Sequence, residues 1–198
     1  MNPSAAPIQA ILRIRNYRIP LNPKRRDRMK KLGLVASATL LMATPGMAAA
    51  KLVVETSKKC SFTITLRDDL APNHAAQMSK LAGKGFYDGV VFHRVIDGFM
   101  AQTGDPTGTG MGGSEEPNLK AEFSKEHFSR GTVGMARSSD PDSANSQFFV
   151  MFADGGFLDG QYTVVGKVDD TGMFCVDRLE RGEPPANPDK MMKVTVQQ

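Results

Sequence analysis

The sequence predicts a mainly β domain: a closed, eight-stranded antiparallel barrel accompanied by two helices. Three observations carry this. About eight short runs rich in β-branched and aromatic residues are bounded by Gly, Pro, Asn, Asp or Ser, the pattern of strands between tight turns. Only two segments have helical spacing. Closing the sheet on itself removes the exposed edges that so many strands would otherwise leave.

The elements follow in order. Leu52–Glu55 is short and β-branched, Ser57-Lys58-Lys59 is a turn, and Ser61–Leu66 alternates with period two, so the three form an opening hairpin. Pro72-Asn73 starts a helix, because the N–H that proline lacks would have no partner in the first turn. Ala76, Met78, Leu81 and Ala82 fall at helical spacing, and Gly83 and Gly85 stop the helix. Val90–Ile96 and Phe99–Thr103 are the next strands, split at Asp97-Gly98. Asp105–Asn118 is a Gly-rich loop, expected to be flexible. Val133–Ala136, Gln147–Met151 and Tyr162–Val168 are three further strands. Gly172–Arg181 is the second helix, ended by Gly182. A Pro-rich loop, Glu183–Pro188, leads to a last strand, Met191–Val196.

The first fifty residues do not belong to this domain. Met29-Lys30-Lys31 is a basic head, Leu32–Met42 an apolar stretch, and Pro45, Gly46 and Ala48-Ala49-Ala50 a small-residue end, which together are the pattern of a secretory signal peptide over residues 29–50. The apolar stretch is shorter than the roughly 20 residues that span a bilayer, so no stable membrane insertion is expected. Residues 1–28 are an N-terminal extension or reflect a misassigned start at Met1 in place of Met29. The domain therefore covers 51–198. Cleavage after Ala50 places it in the periplasm or outside the cell.

The chain's formal net charge of +4 is positive only because of the first fifty residues, which hold nine basic side chains and one acidic. Residues 51–198 hold 16 basic and 20 acidic side chains, a net of −4. Nucleic-acid binding loses its support, since it needs a basic face on the folded part. The two cysteines, Cys60 and Cys175, and the three histidines have no metal-ligand spacing, and no metal or cofactor is expected. An oxidising compartment would allow the cysteines to pair. Cys175 on an apolar helical face reads more simply as a buried free thiol.

Arg94 stands out. Period two puts it on the strand face of Phe92 and Ile96, so a guanidinium emerges from an apolar strip. The run from Phe92 to Asp105 sets it beside Phe99, Met100 and Gln102, which suits gripping a peptide through an apolar residue and perturbing the adjacent amide. This run resembles the signature of the cyclophilin family of peptidyl-prolyl cis-trans isomerases. Gly131–Arg137, Ser146–Val150, Phe157–Gly160 and Tyr162–Val168 match further cyclophilin blocks in the same order. The resemblance covers about Leu52 to Val196 and implies a barrel with a helix capping each open end.

The resemblance also implies roles. Arg94 would be catalytic, with Gln102 orienting it and the substrate backbone. Phe99, Met100, Phe149, Leu158 and Tyr162 would form the proline pocket, with Phe157 at its rim. The backbone of Ala136 and Arg137 would hold the substrate carbonyl and amide. Tyr162 replaces a common His, Phe157 the Trp of cyclosporin-sensitive members, and Arg137 their Asn. Isomerase activity should survive these departures. Without the indole donor, cyclosporin binding should be weak or absent. The same trio resembles exported bacterial members.

Other motifs yield to simpler readings. Gly108–Gly113 satisfies G-x-G-x-x-G, but Glu115, Glu116 and Pro117 follow where a dinucleotide site needs a helix. His93 falls on the face opposite Arg94 and reads as a buried, hydrogen-bonded core residue. The expected function is cis–trans isomerisation of bonds preceding proline in client polypeptides, by a monomer. The rival is a proline-peptide-binding module or holdase with little catalysis.

Overall fold

The computed structural model describes residues 49–198; the extension and the signal peptide proper lie outside the described residues, apart from Ala49 and Ala50. The eight strands are β1 (Lys51–Thr56), β2 (Ser61–Leu66), β3 (Arg94–Ile96), β4 (Met100–Thr103), β5 (Thr132–Met135), β6 (Phe148–Met151), β7 (Val164–Val168) and β8 (Met191–Gln197). The helices are α1 (Pro72–Gly83) and α2 (Asp170–Val176), with 3-10 turns at Pro141–Ser143 and Gly156–Leu158.

The strands form one sheet in the order β3-β4-β6-β5-β7-β2-β1-β8, with antiparallel pairing throughout. The expected closed barrel is corrected: this is a curled, open sheet whose edges are β3 and β8. Between the edges there is one isolated bridge, Val91 to Lys190, with neighbouring backbone bonds but no ladder. The reason is local. Val90–Ile96 does not extend as one strand because it changes partner: Val90–Phe92 bond to Asp189–Met191, and only Arg94–Ile96 pairs with β4 as β3. The free side of β3 is occupied by the loop at Gly182, which exchanges two hydrogen bonds with Val95, each 2.8 Å. A sheet edge is satisfied here by a loop, so no strand is needed there.

Alternation sorts the side chains into two clusters. The larger, inside the curl, includes Leu52, Val54, Phe62, Ile64, Val95, Ala101, Phe148, Val150 and Val194. The smaller holds Met100, Phe128, Phe149, Met151, Leu158 and Val164 on the other face. Phe148 and Phe149 are consecutive and part to opposite clusters, as pleating requires.

α1 begins at Pro72 as expected but buries His74, Ala75, Gln77, Met78, Leu81 and Ala82; Ala76 is exposed. It has no side-chain cap of its own. Glu122 supplies one from a distance: its carboxylate accepts from the amides of Asn73 (3.2 Å) and His74 (3.1 Å) and contacts His74 Nδ1 at 2.6 Å. That satisfies donors a first turn leaves open. α2 is shorter than expected and ends at Val176, not Arg181. Asp169 caps its start by accepting from Gly172 N at 2.7 Å. Cys60 and Cys175 form a disulfide with Cα atoms 5.8 Å apart, so the free-thiol reading of Cys175 is corrected. The bond ties α2 to the residue that precedes β2.

Candidate active site

Strand register assembles the centre of the site. Arg94 lies opposite Gln102, Gln102 opposite Phe149, and Phe149 opposite Gly134, one row across β3, β4, β6 and β5. Gly134 has a steric purpose: a Cβ there would come within 2.4 Å of the Phe149 ring and 2.7 Å of Phe128. A glycine inside a strand is expected where another group approaches this closely. Phe149 can therefore lie flat over β5, stacked 5.9 Å from Phe128.

The row opens into a pocket of about 150 Å3. Its lining brings together nine of the ten residues expected from the sequence: Arg94, Phe99, Met100, Gln102, Ala136, Arg137, Phe149, Leu158 and Tyr162. Phe157 is the exception. It is 64% exposed and sits at the rim, its ring 5.6 Å from Phe99. Met100, Phe149 and Leu158 are buried and form the apolar floor. Tyr162 stands edge-on to Phe149 at 5.9 Å, and the Arg137 guanidinium lies over its ring at 4.5 Å. Arg137 also donates from Nε and Nη2 to the Gln161 carbonyl (3.3 and 3.0 Å) and from Nη1 to the Ser138 carbonyl (2.9 Å), which binds the two walls together. The amide of Ala136 is engaged by Gln147 O at 2.9 Å.

The polar side of the pocket differs from expectation in one respect. Gln102 does not orient Arg94. Its Nε2 donates to Gln147 Oε1 at 2.8 Å. Gln147 in turn donates to the carbonyls of Gly110 (3.0 Å) and Gly112 (2.8 Å) in the Gly-rich loop. The partner of Arg94 is Glu183, which accepts from Nε. Sequence reasoning missed both roles. Gln147 lies in a recognised block but looks like an ordinary strand residue, and Glu183 is 89 residues from Arg94.

The Gly-rich loop is not a slack surface loop, as expected, but is wound around Asp105. This buried carboxylate accepts from Thr107 N (2.8 Å), Thr107 Oγ1 (2.8 Å), Thr109 N (3.0 Å) and Gly110 N (2.6 Å). Burial pushes its pKa up, and the donors of Thr107, Gly112 and Gly110 outweigh that, bringing it to about 2. His93 packs beneath the loop, where a Cβ on Gly110 would stand 3.4 Å from its ring. It is buried as expected, but neither ring nitrogen has a hydrogen-bond partner among the described residues, which corrects the hydrogen-bonded reading. Burial pushes its pKa down; the Asp105 charge opposes this and the Arg94 charge adds to it.

A second cluster braces the wall that carries Leu158. His127 contacts Asp159 through Nδ1 (2.7 Å) and Asp154 through Nε2 (2.6 Å), and the two carboxylates flank the 3-10 turn. Asp159 also accepts from Phe128 N at 2.9 Å. Among the described residues no group of three or more His, Cys, Asp or Glu side chains has an arrangement that could hold a metal ion.

The family described as cyclophilin type peptidyl-prolyl cis-trans isomerase/CLD matches residues 51–196. A probable peptidyl-prolyl cis-trans isomerase of Brucella suis is 54% identical over 156 residues, covering 71% of this chain and 79% of that one. A peptidyl-prolyl cis-trans isomerase-like 1 of Aspergillus oryzae is 42% identical over 125 residues, covering 60% and 75%. Among solved structures, a cyclophilin from Hirschia baltica superposes with a TM-score of 0.67 at 29% identity, covering 73% of each chain. A Cryptosporidium parvum cyclophilin type isomerase, crystallised in the presence of the dipeptide Ala-Pro, superposes with a TM-score of 0.68 at 25% identity, covering 75% of this chain and 99% of that one.

Proposed function

This chain belongs to the family of cyclophilin-type peptidyl-prolyl cis-trans isomerases, and from that premise we propose how its pocket catalyses rotation about the bond preceding proline. The observation that carries the proposal is the placement of an always-charged guanidinium, Arg94, at the lip of an apolar pocket floored by Met100, Phe149 and Leu158. The proline ring sits on that floor. The peptide backbone runs past Ala136 and Arg137, where the Ala136 carbonyl and the Arg137 amide form no hydrogen bond within the described residues.

A prolyl amide resists rotation because its nitrogen lone pair is shared with the carbonyl, a barrier of about 20 kcal/mol. In the twisted transition state the lone pair returns to nitrogen. A donor from Arg94 aimed at that nitrogen binds the twisted state and not the planar one, which is the differential binding catalysis needs. Lowering the barrier by about 5.5 kcal/mol would speed the reaction roughly 10⁴-fold. Gln102, fixed by Gln147, contributes an acceptor beside the substrate backbone. No acid–base pair is needed.

The test is Arg94→Ala. It should lower kcat/KM at least about 100-fold, a loss of roughly 3 kcal/mol. The fold should persist, since the Arg94 side chain is 41% exposed. Peptide affinity should fall much less. Arg94→Lys should recover only part, because an ammonium cannot reproduce a two-pronged donor. Near-normal turnover in folded Arg94→Ala protein would overturn the assignment.

We further propose that the protein acts on exported clients, as a monomer. The leader pattern over 29–50 supports export, and so does the Cys60–Cys175 disulfide, since such bonds persist in oxidising compartments. Cleavage after Ala50 would cost β2 one hydrogen bond, from Leu66 N to the Ala50 carbonyl, about 1 kcal/mol. The Lys51–Gln197 and Lys51–Thr65 pairs would remain. N-terminal sequencing of periplasmic protein decides this: Lys51 as first residue is expected, and protein confined to the cytosol with an intact leader would refute it.

A further inference from the structure

We infer that Glu183 is a positioning residue for Arg94, held in place by the antiparallel bridge between Val95 and Gly182. The inference rests on the assignment of Arg94 as the catalytic residue. The bridge fixes the register: with Val95 facing Gly182, Arg94 faces Glu183. Arg94 therefore has two cross-strand neighbours in one row, Gln102 on β4 and Glu183 on the loop. Gln102 is turned to Gln147, which leaves Glu183 as the group that holds the guanidinium.

The loop that presents Glu183 is anchored on every side. Val95 N donates to Gly182 O and Gly182 N to Val95 O, each 2.8 Å. Upstream, Arg181 lies over Phe152 at 4.2 Å and donates to the carbonyls of Asp177 (2.9 Å) and Leu179 (2.6 Å) and to Asp97 Oδ1 (3.1 Å). Arg181 is thus committed elsewhere and does not compete for Glu183. Downstream, Asp189 accepts from Glu180 N at 2.8 Å and from Ser57 Oγ at 2.6 Å. Gly182 itself, at φ +151°, cannot be replaced without a shift, since a Cβ would stand 2.5 Å from Pro185 Cα.

The point of attachment gives the pair its purpose. Glu183 takes Nε, the nitrogen nearest the side-chain stem, and the Nη groups make no hydrogen bond within the described residues. The donors nearest the substrate therefore stay free while the plane of the fork is fixed. The pair is half-exposed, 41% and 51%, so it adds little to stability. Its effect is to preorganise a long side chain before substrate arrives, which lowers the cost of reaching the transition state without tightening ground-state binding.

The test is a double-mutant cycle read as kcat and KM separately. Glu183→Ala should lower kcat about tenfold with KM changed less than about twofold, because orientation is lost and the apolar floor is not. Glu183→Gln keeps an acceptor oxygen at the same reach and should return kcat to within about threefold of wild type. In the Arg94→Ala background, Glu183→Ala should change kcat less than about twofold, since there is nothing left to position. Unchanged kcat in Glu183→Ala, or an equal fall in both backgrounds, would overturn the inference. If Arg94→Ala alone keeps its turnover, the catalytic assignment fails instead, so the two failures are told apart.

Discussion

Replacing Cys60 and Cys175 together with Ala should destabilise the domain severely while leaving its chemistry intact. The disulfide joins residues 115 apart in sequence. In the chain-entropy treatment, a closed loop of that size removes about 4.8 kcal/mol worth of freedom from the unfolded chain at 25 °C. What it holds needs holding: α2 has seven residues, too few to persist alone, and packs through Met173, Cys175 and Val176. A loss of about 3–5 kcal/mol follows, and for a domain of this size a fall in Tm of about 6–20 °C. Urea unfolding followed by circular dichroism is the assay. The midpoint should fall, and the slope m should rise because the uncrosslinked chain exposes more surface when unfolded. No pocket-lining residue lies on β1, β2 or α2, so kcat/KM of the double variant, measured well below its Tm, should match wild type. A stability loss under about 1 kcal/mol, or two free thiols titrated in the unreduced, unfolded wild type, would refute the reasoning.

Two further outcomes are expected. His127 faces Asp159 and Asp154 through its two ring nitrogens, so only the imidazolium can donate to both; these bonds, Asp159 first, raise its pKa. The stabilisation is therefore complete below the unfolded value of about 6.5 and is lost as pH rises through the higher folded value. Tm should decline across that window in wild type and stay flatter in His127→Gln; parallel slopes would contradict it. Cyclosporin should inhibit weakly, and Phe157→Trp should tighten inhibition with little change in peptide turnover, because the exposed rim gains an N–H donor while the floor is untouched. Nanomolar inhibition of the unmodified protein in a drug titration would rule this out.

The β-rich class and most strand centres were legible because burial alternates along them. Ser61–Leu66 reads directly as β2, with Phe62, Ile64 and Leu66 inward. Where local pattern and tertiary constraint part, the reading slipped. The apolar run Val90–Ile96 looks like one strand, yet its first half bonds to Asp189–Met191 and only Arg94–Ile96 pairs with β4. α2 has helical spacing up to Arg181, but the chain departs at Val176; beyond it, Asp177 pairs with Arg130 at 2.6 Å and Arg181 turns onto Phe152. The pocket was legible because its residues cluster in a few short blocks that strand register then superimposes. Glu183 was not, since a carboxylate in a Pro-rich loop carries no sign of which distant cation it meets. The disulfide was equally hidden: two cysteines far apart in sequence say nothing of a 5.8 Å separation.

The order of strands has a consequence for how the chain can be made. β1 completes its pairing only with β8, Lys51 with Gln197 and Val54 with Val194, while its other neighbour, β2, is supplied at once by the hairpin. A chain emerging N-terminus first therefore carries a bare β1 edge throughout its synthesis, until the segment beginning at Met191 arrives. α1 waits as well, since β8 is among its principal packing partners. Non-local pairing of this kind delays folding until nearly the whole domain is available. If the chain is exported as proposed, that delay helps, because a nascent polypeptide that cannot yet complete its sheet stays thin enough to be threaded.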